Sequence, residues 1–159
     1  MRLPATIIFV FALLSFITTG AADMLGIGKT CVFSAVKARL LLNGKPVVNT
    51  KVRREWNWNK PGFDESVTDE QGYVTFPAVF ESSVTKLLPI ELVISQRMLV
   101  EIDGEFKEIW LNDKRSPEED MEYPGKKFNV ICELTDEEKH YDAPFGNGKL
   151  TICKLNMEE

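Results

Sequence analysis

The chain has 159 residues, 44% of them hydrophobic and 27% charged, with 24 acidic against 19 basic side chains and a formal charge of −5. That apolar content excludes a disordered chain, and the acidic balance argues against a nucleic-acid partner, because phosphates need a basic face. A single histidine removes HExxH metal sites and every catalytic scheme that needs two histidines.

The chain opens MRLPATIIFVFALLSFITTGAA, with a charge at Arg2, an apolar stretch from Ile7 to Ile17, and small residues at Thr19, Ala21 and Ala22. This layout predicts a Sec-type signal peptide over 1–22, too short for a good membrane span and followed by a small-residue cleavage region. A secreted or periplasmic chain is the expectation, with no membrane span after cleavage. Cys31 follows Gly28-Lys29-Thr30, not the apolar and small residues that precede a lipid-attachment cysteine. Residues 23–31 read as a glycine-bearing N-terminal lead-in and 32–156 as one folded domain.

The first strand is expected near Val32. Val36, Ala38, Leu40 and Leu42 then alternate with Lys37 and Arg39, so one face of a pleated strand is apolar. Asn43-Gly44-Lys45-Pro46 breaks the ladder, since glycine reaches backbone angles other residues avoid and proline has no N–H to donate. Val48, Thr50 and Val52 resume the alternation against Lys51 and Arg53. Trp56 and Trp58 extend that run on a shared face until Pro61-Gly62 ends it. Two rings on one face fit either a continued core face, the preferred reading, or a platform for a glycan or a protein contact. Thr68 to Pro77 places a glycine turn between two further β-prone runs.

A strand, then NGKPV, then alternating valine and charged residues, then TDEQGYVTFP resembles the opening of transthyretin-like and carboxypeptidase-regulatory-like domains. The resemblance covers roughly a third of the chain and implies an immunoglobulin-like β-sandwich. The surroundings of Ile94-Ser95-Gln96 and the Cys132 and Cys153 runs are also similar to an uncharacterised family of small exported bacterial proteins. The hydrolases and iron dioxygenases of related fold use paired histidines, which this chain cannot assemble.

The longest alternation runs Ile90, Leu92, Ile94, Gln96, Met98, Val100, Ile102. Gln96 is its one polar interruption, and a buried amide must be hydrogen-bonded, so a tie to a neighbouring loop is expected. Asp103-Gly104 predicts a hairpin turn, and 105–111 a return strand with Phe106 and Trp110 on one face. Residues 112–125 form a polar loop with the acidic cluster Glu118, Glu119, Asp120 and Glu122. It lacks the ligand spacing of a calcium loop and reads as a solvated run able to meet a basic protein surface. Residues 135–148 form a second long loop carrying His140 and Tyr141.

Three cysteines in an exported chain allow one internal disulfide and one free thiol. Cys132 and Cys153 lie in β-like runs that can pair as neighbours, and that bridge is favoured. Leu150 and Ile152 look like the buried face of their strand, however, which would turn Cys153 the other way and leaves a bridge from Cys31 open. No CxxC or Cys/His spacing exists, so neither a metal nor a cofactor is expected.

The fold expectation is therefore all-β, a single immunoglobulin-like/transthyretin-like antiparallel β-sandwich of about seven strands. No nucleophile elbow, Walker or Rossmann motif supports catalysis. The expected function is a non-catalytic exported binding module, preferably for a protein, as an inhibitor or immunity-type protein. The alternatives are a glycan- or cell-surface-binding module and a passive structural envelope protein. The binding candidates are Trp56, Trp58, Glu118, Glu119, Asp120, His140 and Tyr141.

Overall fold

The computed structural model describes residues 28–83, 91–142 and 148–156. The signal-peptide reading, most of the lead-in and Ile90 lie outside them. Among the described residues the chain is all-β, with thirteen strands: β1 (Gly28–Phe33), β2 (Val36–Leu42), β3 (Lys45–Pro46), β4 (Lys51–Asn57), β5 (Pro61–Val67), β6 (Tyr73–Phe76), β7 (Val79–Ser83), β8 (Ile94–Ile102), β9 (Glu105–Lys114), β10 (Phe128–Glu133), β11 (Lys139–Asp142), β12 (Gly148–Thr151) and β13 (Cys153–Leu155). The excess over about seven comes from short strands such as β3 and from breaks inside runs, as between β12 and β13. The first strand begins at Gly28 rather than near Val32.

Two sheets form the sandwich. One runs β13-β10-β2-β3 with β6 also on β2, the other β11-β12-β9-β8-β4-β5, and β1 pairs separately with β7. All pairings are antiparallel except β2 with β10, which is parallel from Phe128↔Val36 to Glu133↔Leu41. The alternation predicted in β2 is realised for Val36, Ala38 and Leu40, which are buried, but not for Leu42, which is exposed at the end of the strand. They meet Val52, Met98, Val100 and Trp110 of the facing sheet in one core cluster. Phe33, Trp110 and Phe128 are its aromatic centre, with ring centroids 4.7 to 6.1 Å apart.

Several local expectations are corrected. Val48 and Thr50 lie before β4, which starts at Lys51. Asn49 has φ 51°, a left-handed conformation that ends a strand, and its N–H bonds the Thr68 carbonyl at 3.0 Å. Trp58 falls in the bend after β4, so it does not continue the Trp56 face. Phe106 and Trp110 take opposite faces because the β8–β9 register shifts between Met98 and Leu99; the bulge leaves Ile109 and Trp110 both buried. The return strand continues to Lys114, which removes 112–114 from the expected loop, and β11 forms inside the second expected loop.

The Cys132–Cys153 disulfide is present, and Cys31 is a buried free thiol. The two half-cystines are direct register partners across β10 and β13. The objection from Leu150 and Ile152 fails for a local reason: the strand breaks at Ile152, so Thr151, Ile152 and Cys153 are all buried in succession.

Candidate functional site

The six-stranded sheet has two faces of different chemistry. On its inner face Lys149, Asn112 and Gln96 fall in one cross-strand row on β12, β9 and β8. Lys114 is two residues along β9 on the same face, opposite Ile94. All four are buried. A stripe of amides and ammonium groups inside a sandwich must find partners, and the segment between β9 and β10 supplies them.

That segment folds back over the stripe and inserts Glu122, whose side chain is fully buried. Its Oε1 accepts from Gln96 Nε2 at 2.8 Å and from the Ser34 N–H at 3.1 Å, and lies 3.4 Å from Lys114 Nζ. Its Oε2 accepts from Ser34 Oγ at 2.5 Å. Gln96 Nε2 also donates to the Val32 carbonyl at 2.8 Å, while Gln96 Oε1 accepts from Asn112 Nδ2 at 2.8 Å. Lys114 Nζ donates to the Cys31 carbonyl at 3.1 Å. Gln96 therefore ties to a neighbouring loop and strand, as a buried amide must. Burial alone would raise the Glu122 carboxyl; the Lys114 ammonium and the Ser34 and Gln96 donors outweigh it and hold it below the ordinary carboxylate range.

Lys149 extends the centre. Its Nζ donates to the Glu122 carbonyl at 2.6 Å and sits 3.4 Å from the centroid of the Tyr123 ring. Burial pulls its amine down to about 8, against the pull of Glu122, and pushes the Tyr123 phenol up to about 12. Cys31 lies against the same centre, its Sγ 3.8 Å from Ser34 Oγ; burial raises its thiol although Lys114 opposes this. One row further along β4, Arg54 is fully buried. It donates to both Asp64 oxygens at 3.0 and 2.5 Å and to the Pro77 carbonyl at 2.8 Å, with Phe33 and Phe76 on its guanidinium.

The outer face is built for contact. Glu55, Asn57, Pro61, Phe63, Ser95, Arg97, Glu108 and Leu111, together with Trp56 and Gly62, line an open groove of about 650 Å³. Arg97 reaches Glu55 at 2.7 Å and Glu108 at 4.0 Å. Arg53 is held by Glu65 and lies 5.0 and 4.2 Å from the Phe63 and Phe106 rings. Beside the groove runs β5, which among the described residues is an edge strand paired only with β4. Phe63 is 62% exposed there and Val67 51%.

The predicted site residues do not converge. Trp56 is half-buried and packs against the core cluster, with its ring against Gly62 and Nε1 donating to Glu81 at 3.1 Å. Trp58 is half-buried in the following bend. Of the acidic cluster, Glu118 and Glu119 are exposed, Asp120 is paired with Lys127, and Glu122 is interior. Exposed His140 is on the outer face of β11, opposite Leu150, and Tyr141 is on the inner side opposite Lys149. Among the described residues no group of three or more His, Cys, Asp or Glu is placed to hold a metal. Sequence reasoning does not single out Lys114, Ser34, Asn112, Arg54 or Lys149, and it places Glu122 in a solvated loop rather than in the interior. The signal for three of them was legible: Arg54 alternates with Val52 and Trp56, and Asn112 and Lys114 with Trp110, so each is a polar residue on an apolar face.

Fold and surfaces together define an all-β sandwich with a polar interior centre and a grooved outer sheet. Residues 36–137 match the family described as a domain of unknown function, DUF6795, and the chain belongs to that family. That description makes no link to transthyretin-like or carboxypeptidase-regulatory-like domains. No curated protein and no solved structure matches the chain.

Proposed function

We propose that this chain is a non-catalytic exported binding module whose ligand is a protein, of the inhibitor or immunity type, engaged by the outer face and β5 edge of the six-stranded sheet. The observation that carries the reading is the groove lined both by exposed Phe63 and by Arg97, an arginine already oriented by two carboxylates. Aromatic and arginine side chains carry most binding energy at protein interfaces, and side chains fixed beforehand lose little entropy on binding. An unpaired edge adds main-chain donors and acceptors that a partner strand can use. The acidic balance suits a basic target and speeds encounter.

The glycan reading keeps one supporting observation: Trp56 and Asn57, a ring and an amide, line the same groove. One experiment separates the two. The tagged chain from Asp23 onward is incubated with envelope and secreted fractions of its source, and bound material is identified by mass spectrometry. A single stoichiometric protein, lost with Phe63→Ser and Arg97→Glu but kept with Glu118→Lys, is the expected result. Retention on envelope polysaccharide without a protein, abolished by Trp56→Ala and Trp58→Ala, overturns it in favour of the glycan.

A further inference from the structure

The interior centre is more than the sandwich needs. A buried ion pair is costly to desolvate and often no more stabilising than apolar residues of the same volume, yet Lys114 and Glu122 are both fully buried. The distinguishing feature is the third group. Glu122 Oε1 is shared between an amine, Lys114 Nζ at 3.4 Å, and a carboxamide nitrogen, Gln96 Nε2 at 2.8 Å. The two nitrogens are therefore no further apart than the sum of those distances. The Gln96 carbonyl oxygen accepts from Asn112 Nδ2 at 2.8 Å, which polarises the carbonyl carbon towards attack.

We propose that Lys114 and Gln96 are joined by an intramolecular isopeptide bond, formed once by the folded chain with Glu122 as proton relay. Glu122 takes a proton from the Lys114 ammonium, and the freed amine attacks Gln96 Cδ. Asn112 stabilises the oxygen of the tetrahedral intermediate. A second proton passes from the former lysine nitrogen to the amide nitrogen, the Cδ–Nε2 bond breaks, and ammonia leaves, taking up the proton held by Glu122. One C–N bond forms, one breaks, and no oxidant or co-reactant is consumed. The polar contacts that would serve each step lie in a water-poor interior, where such groups act more strongly than in water. The step needs no external substrate and is independent of the binding reading above.

The test is the intact mass of the purified chain after disulfide reduction, compared with the mass calculated for its observed N-terminus. The expected result is a deficit of about 17 Da, one ammonia. Fragmentation of a proteolytic digest should then show a branched peptide joining residues 96 and 114. A full calculated mass overturns the proposal, as does a deficit that maps to any other residues. Gln96→Glu and Glu122→Gln are expected to show their full calculated masses. A cross-link surviving in folded Glu122→Gln chain, judged by circular dichroism, overturns the role given to that carboxylate. Because the wild-type mass decides the central claim, failure of a variant to fold does not leave it open.

Discussion

Arg54 shows how a charge can sit at zero exposure in an apolar core. The Phe33 and Phe76 rings pack on its guanidinium while its rim is satisfied by Asp64 and two main-chain carbonyls. Removing the carboxylate strands the charge, whereas removing the arginine leaves a partly solvated carboxylate. Asp64→Ala is therefore expected to cost about 3–5 kcal/mol, and Arg54→Met less, in urea unfolding midpoints. Lys149 gives a second prediction. Its folded value of about 8 lies below the unfolded value of about 10.4, so across that interval the unfolded chain binds more protons and stability rises with pH. Tyr123, raised to about 12 by burial, does the reverse above its unfolded value of about 10. The unfolding midpoint should climb from pH 8 towards 10 and fall beyond it. Lys149→Met should remove the climb and Tyr123→Phe the fall.

At the scale of elements, strand identity followed from alternation and turn chemistry, but strand ends followed from contacts. The β2 face and the Asn43-Gly44 turn were legible because period two and a positive-φ glycine are local properties. The bulge beside Met98 and the break at Ile152 were not, because each exists to place side chains against a facing sheet. For the same reason Glu122 reads in sequence as one acid among four and becomes interior only when its segment meets Ser34 and Gln96. The β4–β5 hairpin depends on such a contact. A methyl group on Gly62 would lie 2.6 Å from Trp56 ring atoms, so Gly62→Ala should displace the indole, red-shift tryptophan emission and cost about 1–3 kcal/mol. The β10–β13 disulfide closes a separation of 21 residues. Its reduction should lower stability by about 3 kcal/mol, measured by chemical unfolding with and without reductant.

For the whole molecule, stability should be graded from centre to rim. β2 and β8 have neighbours on both sides, whereas β5 and β11 end their sheet among the described residues. Native-state hydrogen exchange is expected to be slowest for amides of β2 and β8 and faster by orders of magnitude on β5 and β11. The easily opened β5 is also the strand at which the proposed partner would bind, so binding there should slow its exchange first.

The parallel pairing of β2 with β10 sets the order in which the chain can be completed. β2 is made early and is flanked by β3 and β6 on one side, but its other side waits for a strand that begins at Phe128. During synthesis or passage through a membrane, N-terminus first, an apolar strand with one open flank must persist until nearly all of the chain has emerged. Contacts of such long sequence separation slow folding, and the waiting edge is a template for other chains. The chain should therefore fold late and all at once, and its yield should depend on how well that edge is shielded in the interval.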